Sequence, residues 1–139
     1  MGEEHNPMDR TIRELNDKTN PDRWKSIIAL GEFGEEALEY LHGTLNDEEK
    51  WVRYFAADTL GNIGHRSSVD PLIRKLLDED QDVRWAVASA LGRIGDPRAA
   101  HALMQAYNSD NCFVKIFIEE ALENIAACRQ VAPAMGIVQ

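Results

Sequence analysis

Four histidines and two cysteines hold the most chemistry in reserve in this chain of 139 residues: His5, His42, His65, His101, Cys112 and Cys128. A metal site gathers such residues at helical or hairpin spacing, as in HxxxH or CxxC, so that their lone pairs converge. Neither spacing occurs, and no histidine is followed by glutamate. No Ser/His/Asp or Cys/His set for nucleophilic catalysis is legible either. The stretch DVRWAVASALGRIGDPRAAHAL, Asp82 to Leu103, raises a different chemistry, because Gly92 and Gly95 could cradle a phosphate. That use requires a strand before the glycines and GK[ST] after them. Here a helical pattern precedes and Asp96-Pro97 follows, so the glycines read as packing and helix-stop residues. The sequence predicts no catalytic residue, no metal and no cofactor.

Charge narrows the partners. Lys and Arg number 15 against 24 Asp and Glu, a net charge of -9, and the basic residues are dispersed. Such a surface repels a phosphate backbone, so nucleic acid is not an expected partner. With 44% apolar and 28% charged residues the composition is that of a soluble globular domain. No apolar run approaches the roughly 20 residues of a membrane span. The opening MGEEHNPMDR lacks the pattern of a signal peptide, and Asn6 stands where a myristoylation motif requires Ser or Thr. The expectation is a cytoplasmic protein with no membrane partner. Cys112 and Cys128 read as buried or incidental thiols rather than a disulfide framework.

The elements that position these residues recur. VRYFAADTLGNIGHRSSVDPLIRKLLDED starts at Val52, VRWAVASALGRIGDPRAAHALMQAYNSD at Val83 and VKIFIEEALENIAACRQVAPAM at Val114, each 31 residues after the last. DRWKSIIALGEFGEEALEYLHGTLND starts at Asp22, and MDRTIRELND at Met8 matches VDPLIRKLLD at Val69. The divisions are a half repeat over 8–20, repeats over 21–48, 49–80 and 81–110, and a capping repeat over 111–139. Each unit reads as two helices. Val52, Phe55, Ala56, Thr59, Leu60 and Ile63 share one helical face, Gly64 ends that helix, and Val69, Leu72, Ile73 and Leu76 make a second face. No segment alternates as a strand does.

Arg84 to Ala100 carry the pattern VR, aromatic, small residues, ALGxIG, DPRA, then an apolar second helix. This resembles the HEAT-like repeats of the phycobilisome-lyase type, over roughly residues 8–135. The TPLH and W-LG-Y signatures of ankyrin and TPR repeats, whose periods are about 33 and 34 residues, are absent. The resemblance implies an all-α, right-handed α-α superhelix, a HEAT-like solenoid of about nine helices in two layers, forming a single domain over 1–139. It also implies a ladder between repeats: Asp17 precedes Arg23 by six residues, as Asp47 precedes Arg53 and Asp78 precedes Arg84. Each Asp accepts from turn amides and each Arg bridges neighbouring repeats. Ser109 and Lys115 break the pattern at the fourth position. The column Trp24, Tyr54, Trp85, Ile116 reads as packing on the outer helix layer. Glu119, Glu120 and Glu123 replace small contact residues and mark a terminal repeat.

HEAT-like hydroxylases hold two irons with repeated His-Glu pairs, and none stands here, so no di-iron site is expected. The resemblance implies instead a non-catalytic protein-binding module, an adaptor or regulatory subunit, gripping an unidentified protein on a concave face lined by second helices. Arg10, Arg13, Tyr40, Asp70, Arg74, His101 and Gln105 are the candidate contacts. The alternative is a lyase-like or chaperone-like subunit acting on a tetrapyrrole or its carrier protein, through His101, Tyr40 and Trp85. Phe113, Ile116 and Phe117 offer an apolar docking patch, covered by Val131, Met135, Ile137 and Val138 of the tail or used for a homodimer through the C-terminal repeat.

Overall fold

The computed structural model describes residues 6–134, and side chains as far as Cys128; His5, Met135, Ile137 and Val138 lie outside the described residues. Eight α-helices follow one another: α1 (Pro7–Asn16), α2 (Arg23–Gly31), α3 (Leu38–Thr44), α4 (Lys50–Ile63), α5 (Val69–Arg74), α6 (Gln81–Ile94), α7 (Ala100–Ser109) and α8 (Cys112–Ala134). Short 3-10 turns over Gly34–Ala37, Arg66–Ser68 and Pro97–Ala99 lead into α3, α5 and α7. The chain is an α solenoid. The first helices α2, α4, α6 and α8 form one layer, and α1, α3, α5 and α7 form the other.

Local chemistry sets the boundaries. Asn6 caps α1 by accepting from the Met8 amide, and Asp80 caps α6 by accepting from the Asp82 amide. Gly64 and Gly95 end α4 and α6 at φ 74° and 75°, a left-handed conformation that side-chain-bearing residues rarely adopt. Between the layers lies one continuous core, in which Ile27, Leu41, Leu60, Leu72, Leu91, Leu103 and Ile118 are fully buried.

The two layers are spaced differently. Along the first layer, a Cβ on Gly61 would stand 2.8 Å from the Ala90 Cα, and one on Gly92 would stand 2.7 Å from the Ala121 Cα. Helix backbones therefore touch there. The second helices meet their neighbours mainly through the 3-10 turns. The first layer is therefore the more tightly packed of the two.

A chain of arginines stitches the repeats together. Arg53 donates to both carboxylate oxygens of Asp78, Nε at 2.9 Å and Nη2 at 3.1 Å, and its Nη1 donates to the carbonyls of Asp47 and Glu48. Arg23 donates to Asp47 at 2.7 Å and to the Leu15 carbonyl, also at 2.7 Å. Arg84 donates to Asp110 at 2.8 Å and 3.1 Å. Each arginine thus reaches the aspartate at the end of its own repeat and a backbone carbonyl at the end of the preceding one. The last rung is Asp110, one residue beyond Ser109, and Asp17 uses its carboxylate on Thr19 within its own turn. Burial works to raise the Asp78 carboxyl, but the Arg53 hydrogen bonds and the Asp80 amide outweigh it and hold it below the usual carboxylate range. Asp47 is lowered in the same way, by Arg23 and the Glu49 amide against burial.

Three outcomes follow. Gly92→Ala places its Cβ against the Ala121 backbone and is expected to cost about 1–3 kcal/mol, whereas Gly43→Ala, with open space around it, is expected to gain about 0.5 kcal/mol; thermal melts distinguish them. Arg53→Met leaves the Asp78 side chain, 3% exposed, without its main partner. That change is expected to cost about 3 kcal/mol in urea titrations, and Arg53→Met with Asp78→Leu is expected to cost less. Because Asp47 and Asp78 bind protons less readily folded than unfolded, their stabilisation is full at neutral pH. It is lost as pH falls below about 4, and the melting temperature should drop steeply there.

Candidate functional site

The first layer carries a cavity of about 620 Å³ between the C-terminal ends of α2 and α4, with Ile28, Glu32, Glu35, Asp58, Asn62 and His65 among its walls. Two glycines aim its chemistry. Gly34, at φ 61°, turns the chain so that Glu35 follows at the rim, and Gly64 does the same for His65. The His65 Nδ1 accepts from the Ser67 amide at 3.1 Å, which leaves the ring proton on Nε2. That Nε2 stands 3.9 Å from Glu35 Oε2. Asp58 accepts from Arg93 Nη2 at 2.9 Å, and Asn62 Oδ1 accepts from Nη1 of the same guanidinium. Glu32 makes no ion pair among the described residues. The cleft presents the Glu32 and Glu35 carboxylates and the His65 Nε2–H to an incoming group, while Asp58 is already paired with Arg93.

Beside the cleft, toward the N-terminal ends of the same helices, runs a track of aromatic rings. Trp24 meets Phe55 with centroids 5.5 Å apart, Phe55 meets Tyr54 at 5.1 Å, Tyr54 meets Trp85 at 6.0 Å, and Trp85 meets Phe117 at 4.8 Å. Trp51 and Phe113 join from the edge, at 5.5 Å from Tyr54 and 5.2 Å from Trp85. The column read as packing therefore also presents surface: Trp24 is 37% exposed and Ile116 59%. The Tyr54 phenol is pushed up first by burial and then by the charges of Asp58 and Asp82.

The candidate contacts on the second helices lie on the opposite layer. Arg13, Asp70, Arg74, His101 and Gln105 are exposed, Arg10 is tied to Glu14 at 3.3 Å, and the Tyr40 hydroxyl donates to Asn16. Arg74 borders a cavity of about 230 Å³ with His42, Asn46 and Lys75. Trp85 stands on α6, away from Tyr40 on α3 and His101 on α7, so the structure does not bring these three together. Phe113 and Ile116 are exposed and Phe117 half-buried, continuing the ring track, while Val114 and Ile118 enter the core. Cys112 and Cys128 are exposed free thiols, not buried ones.

The iron pair raised by the resemblance does not fit these residues. The His42 Nε2 is engaged with Ser68 Oγ at 2.9 Å, and burial, then Arg74, lowers its pKa. Glu39, three residues earlier, is its one acidic neighbour on α3. No group of three or more His, Cys, Asp or Glu converges among the described residues. No helix among them is long and apolar enough to cross a membrane.

The cleft residues Glu32, Glu35, Asp58, Asn62 and His65 were not singled out by sequence reasoning. A signal existed: the residue after each helix-ending glycine is titratable, as Glu35, His65 and Asp96.

A family model of HEAT repeats matches residues 9–72 and 42–123. A comparison with curated proteins finds no match. Among solved structures, human deoxyhypusine hydroxylase in complex with glycerol is similar, with a TM-score of 0.79 and 28% identity over 89% of this chain. The chain spans 45% of that enzyme's length. Likeness to an enzyme over nearly the whole chain overturns the expectation of a non-catalytic adaptor, and it lends nothing to the tetrapyrrole alternative.

Proposed function

The chain belongs to the HEAT-repeat family, and on that premise we propose that it is the substrate-holding part of an enzyme acting on a protein. In this reading the cleft between α2 and α4 receives a protonated amine. The likeness to a hydroxylase built on the same repeats carries the proposal. The cleft supplies the chemistry: Glu32 and Glu35 balance a positive charge, and Ile28 lines the wall beside the substrate's methylenes. His65 presents its Nε2–H beside Glu35 and donates a hydrogen bond to a substrate oxygen next to the amine. The repeats are of the phycobilisome-lyase type, as Arg84–Ala100 suggest, and the two exposed thiols suit a reducing cytoplasm.

Spermidine is the probe. Calorimetric titration at low salt should give saturable binding, with a shift of the His65 C2 proton in NMR spectra. Glu32→Gln with Glu35→Gln should weaken it about tenfold, and Glu39→Gln, on the other layer, should leave it unchanged. Absence of binding, or binding indifferent to the cleft substitutions, would overturn the proposal.

A further inference from the structure

We propose that the cavity between α3 and α5, on the second layer, is a binding site for a phosphate group, held by Arg74, Lys75, Asn46 and His42. It lies on the layer opposite the amine cleft and stands independently of that reading. The cavity measures about 230 Å³, and His42, Leu45, Asn46, Pro71, Arg74 and Lys75 form its wall. Among the described residues that wall holds no carboxylate, in a chain whose net charge is -9. Two repeats contribute. His42 stands on α3 and Asn46 just beyond it, while Arg74 ends α5 and Lys75 follows.

Each polar group in the wall keeps a donor to give. Arg74 is exposed and makes no ion pair or side-chain hydrogen bond among the described residues. Asp70, one turn earlier on α5, acts on Arg98 instead. Asn46 Oδ1 accepts from Lys75 Nζ at 3.3 Å, which leaves the amide NH2 to donate. Lys75 stands 3.5 Å from Asp78, but Arg53 already holds that carboxylate at 2.9 Å and 3.1 Å, and an ammonium has three protons to place. Ser68 is fully buried, and its hydroxyl meets His42 Nε2 at 2.9 Å. A buried hydroxyl without an acceptor is costly, so its hydrogen goes to Nε2 and the ring proton sits on Nδ1 as a donor. Burial, then the Arg74 charge, lowers the His42 pKa, so the guanidinium stands close enough to be felt at the ring. Glu39 acts on the ring in the opposite sense and less strongly than Arg74, and it is not part of the wall.

The donor set selects the ligand. Donors from two repeats, a guanidinium and an ammonium among them, match the terminal oxygens and the charge of a phosphate. A carboxylate offers two oxygens in one plane and leaves donors of the wall without partners. A cation meets Arg74 and Lys75 with no carboxylate in the wall to offset them. A nucleic-acid backbone also carries phosphates, but the net charge of -9 opposes a polyanion. Inorganic phosphate, a small phosphate ester and a phosphorylated side chain share the chemistry that this cavity reads.

The test titrates inorganic phosphate, a glycine peptide carrying one phosphoserine, and acetate into the whole chain at constant ionic strength. Calorimetry and the His42 ring protons in NMR spectra report binding. Inorganic phosphate should bind saturably and shift the His42 signals while those of His101 stay in place. Arg74→Gln should weaken binding about tenfold with the melting temperature retained, since the side chain is exposed. Asn46→Asp, which puts a carboxylate into the wall, should abolish it. Arg66→Gln, an exposed arginine outside this cavity, should leave it unchanged. Tighter binding of the phosphoserine peptide than of inorganic phosphate, with the same dependence on Arg74, supports the site with a phosphorylated side chain as the source. Equal or weaker binding of the peptide supports it with a small phosphate as the source. Absence of saturable binding by both phosphates, acetate binding as tightly as phosphate, indifference to Arg74→Gln and Asn46→Asp, or an equal loss in Arg66→Gln would each overturn the site.

Discussion

Backbone contact between first helices is the constraint on which this structure depends. At Gly61 and Gly92 there is no room for a methyl group between one helix and the next. Helices that approach this closely draw together whatever side chains flank the contact. Trp85 on α6 therefore lies within 6.0 Å of Tyr54 on α4 and 4.8 Å of Phe117 on α8. The rings form a track rather than isolated plugs. The same approach brings Arg93 of α6 across to Asp58 and Asn62 of α4, closing one side of the cleft. The second layer has no such glycines at its helix contacts, and its repeats meet instead through side chains, Tyr40 on Asn16 and His42 on Ser68.

The arginine ladder solves a different problem. Repeats that touch through small residues bury little area per contact, and register between them needs a directional element. Arg53 supplies it with bonds into two repeats at once, to the carbonyls of Asp47 and Glu48 and to the carboxylate of Asp78. A buried ion pair is an uncertain source of net stability, but here the guanidinium also satisfies backbone carbonyls in the turn between helices. Its geometric contribution is to fix the turn, and the turn fixes where the next first helix begins. Arg84 repeats this with Asp78 and Asp110.

Most of the fold was legible because a period of 31 residues repeats both a hydrophobic face and its punctuation. The glycines at 64 and 95 stand where the helices end, and the columns at Val52, Val83 and Val114 are all buried. What resisted reading was position between elements. The fourth rung escaped because Asp110 stands one residue nearer to Val114 than Asp78 does to Val83, and a count from the column lands on Ser109. The arginine needs only a carboxylate within reach of the turn, and a long side chain absorbs the slip. Periodicity shows which face of a helix is buried, not how far apart neighbouring helices stand. Gly61 and Gly92 held that information, since paired glycines at one repeat position mark the layer where backbones touch.

The cleft was harder still, because its members come from different helices and their chemistry depends on a junction. Glu35 and His65 each follow a left-handed glycine, so each belongs to the loop its own repeat projects toward the next. In the first pair of repeats that loop position carries an acid and an imidazole. In the next it carries Asp96, which Arg98 holds by hydrogen bonds. The Asp96 carboxyl is accordingly lowered, foremost by the Arg98 side chain. One loop position thus yields two electrostatic outcomes: between α2 and α4 the carboxylates face a cavity without a guanidinium from the loop, and between α4 and α6 the guanidinium is built in. A solenoid can differentiate identical junctions in this way without altering the packing that makes them. The N-terminal cleft is the junction where Glu32 and Glu35 face open space without a guanidinium from their own loop.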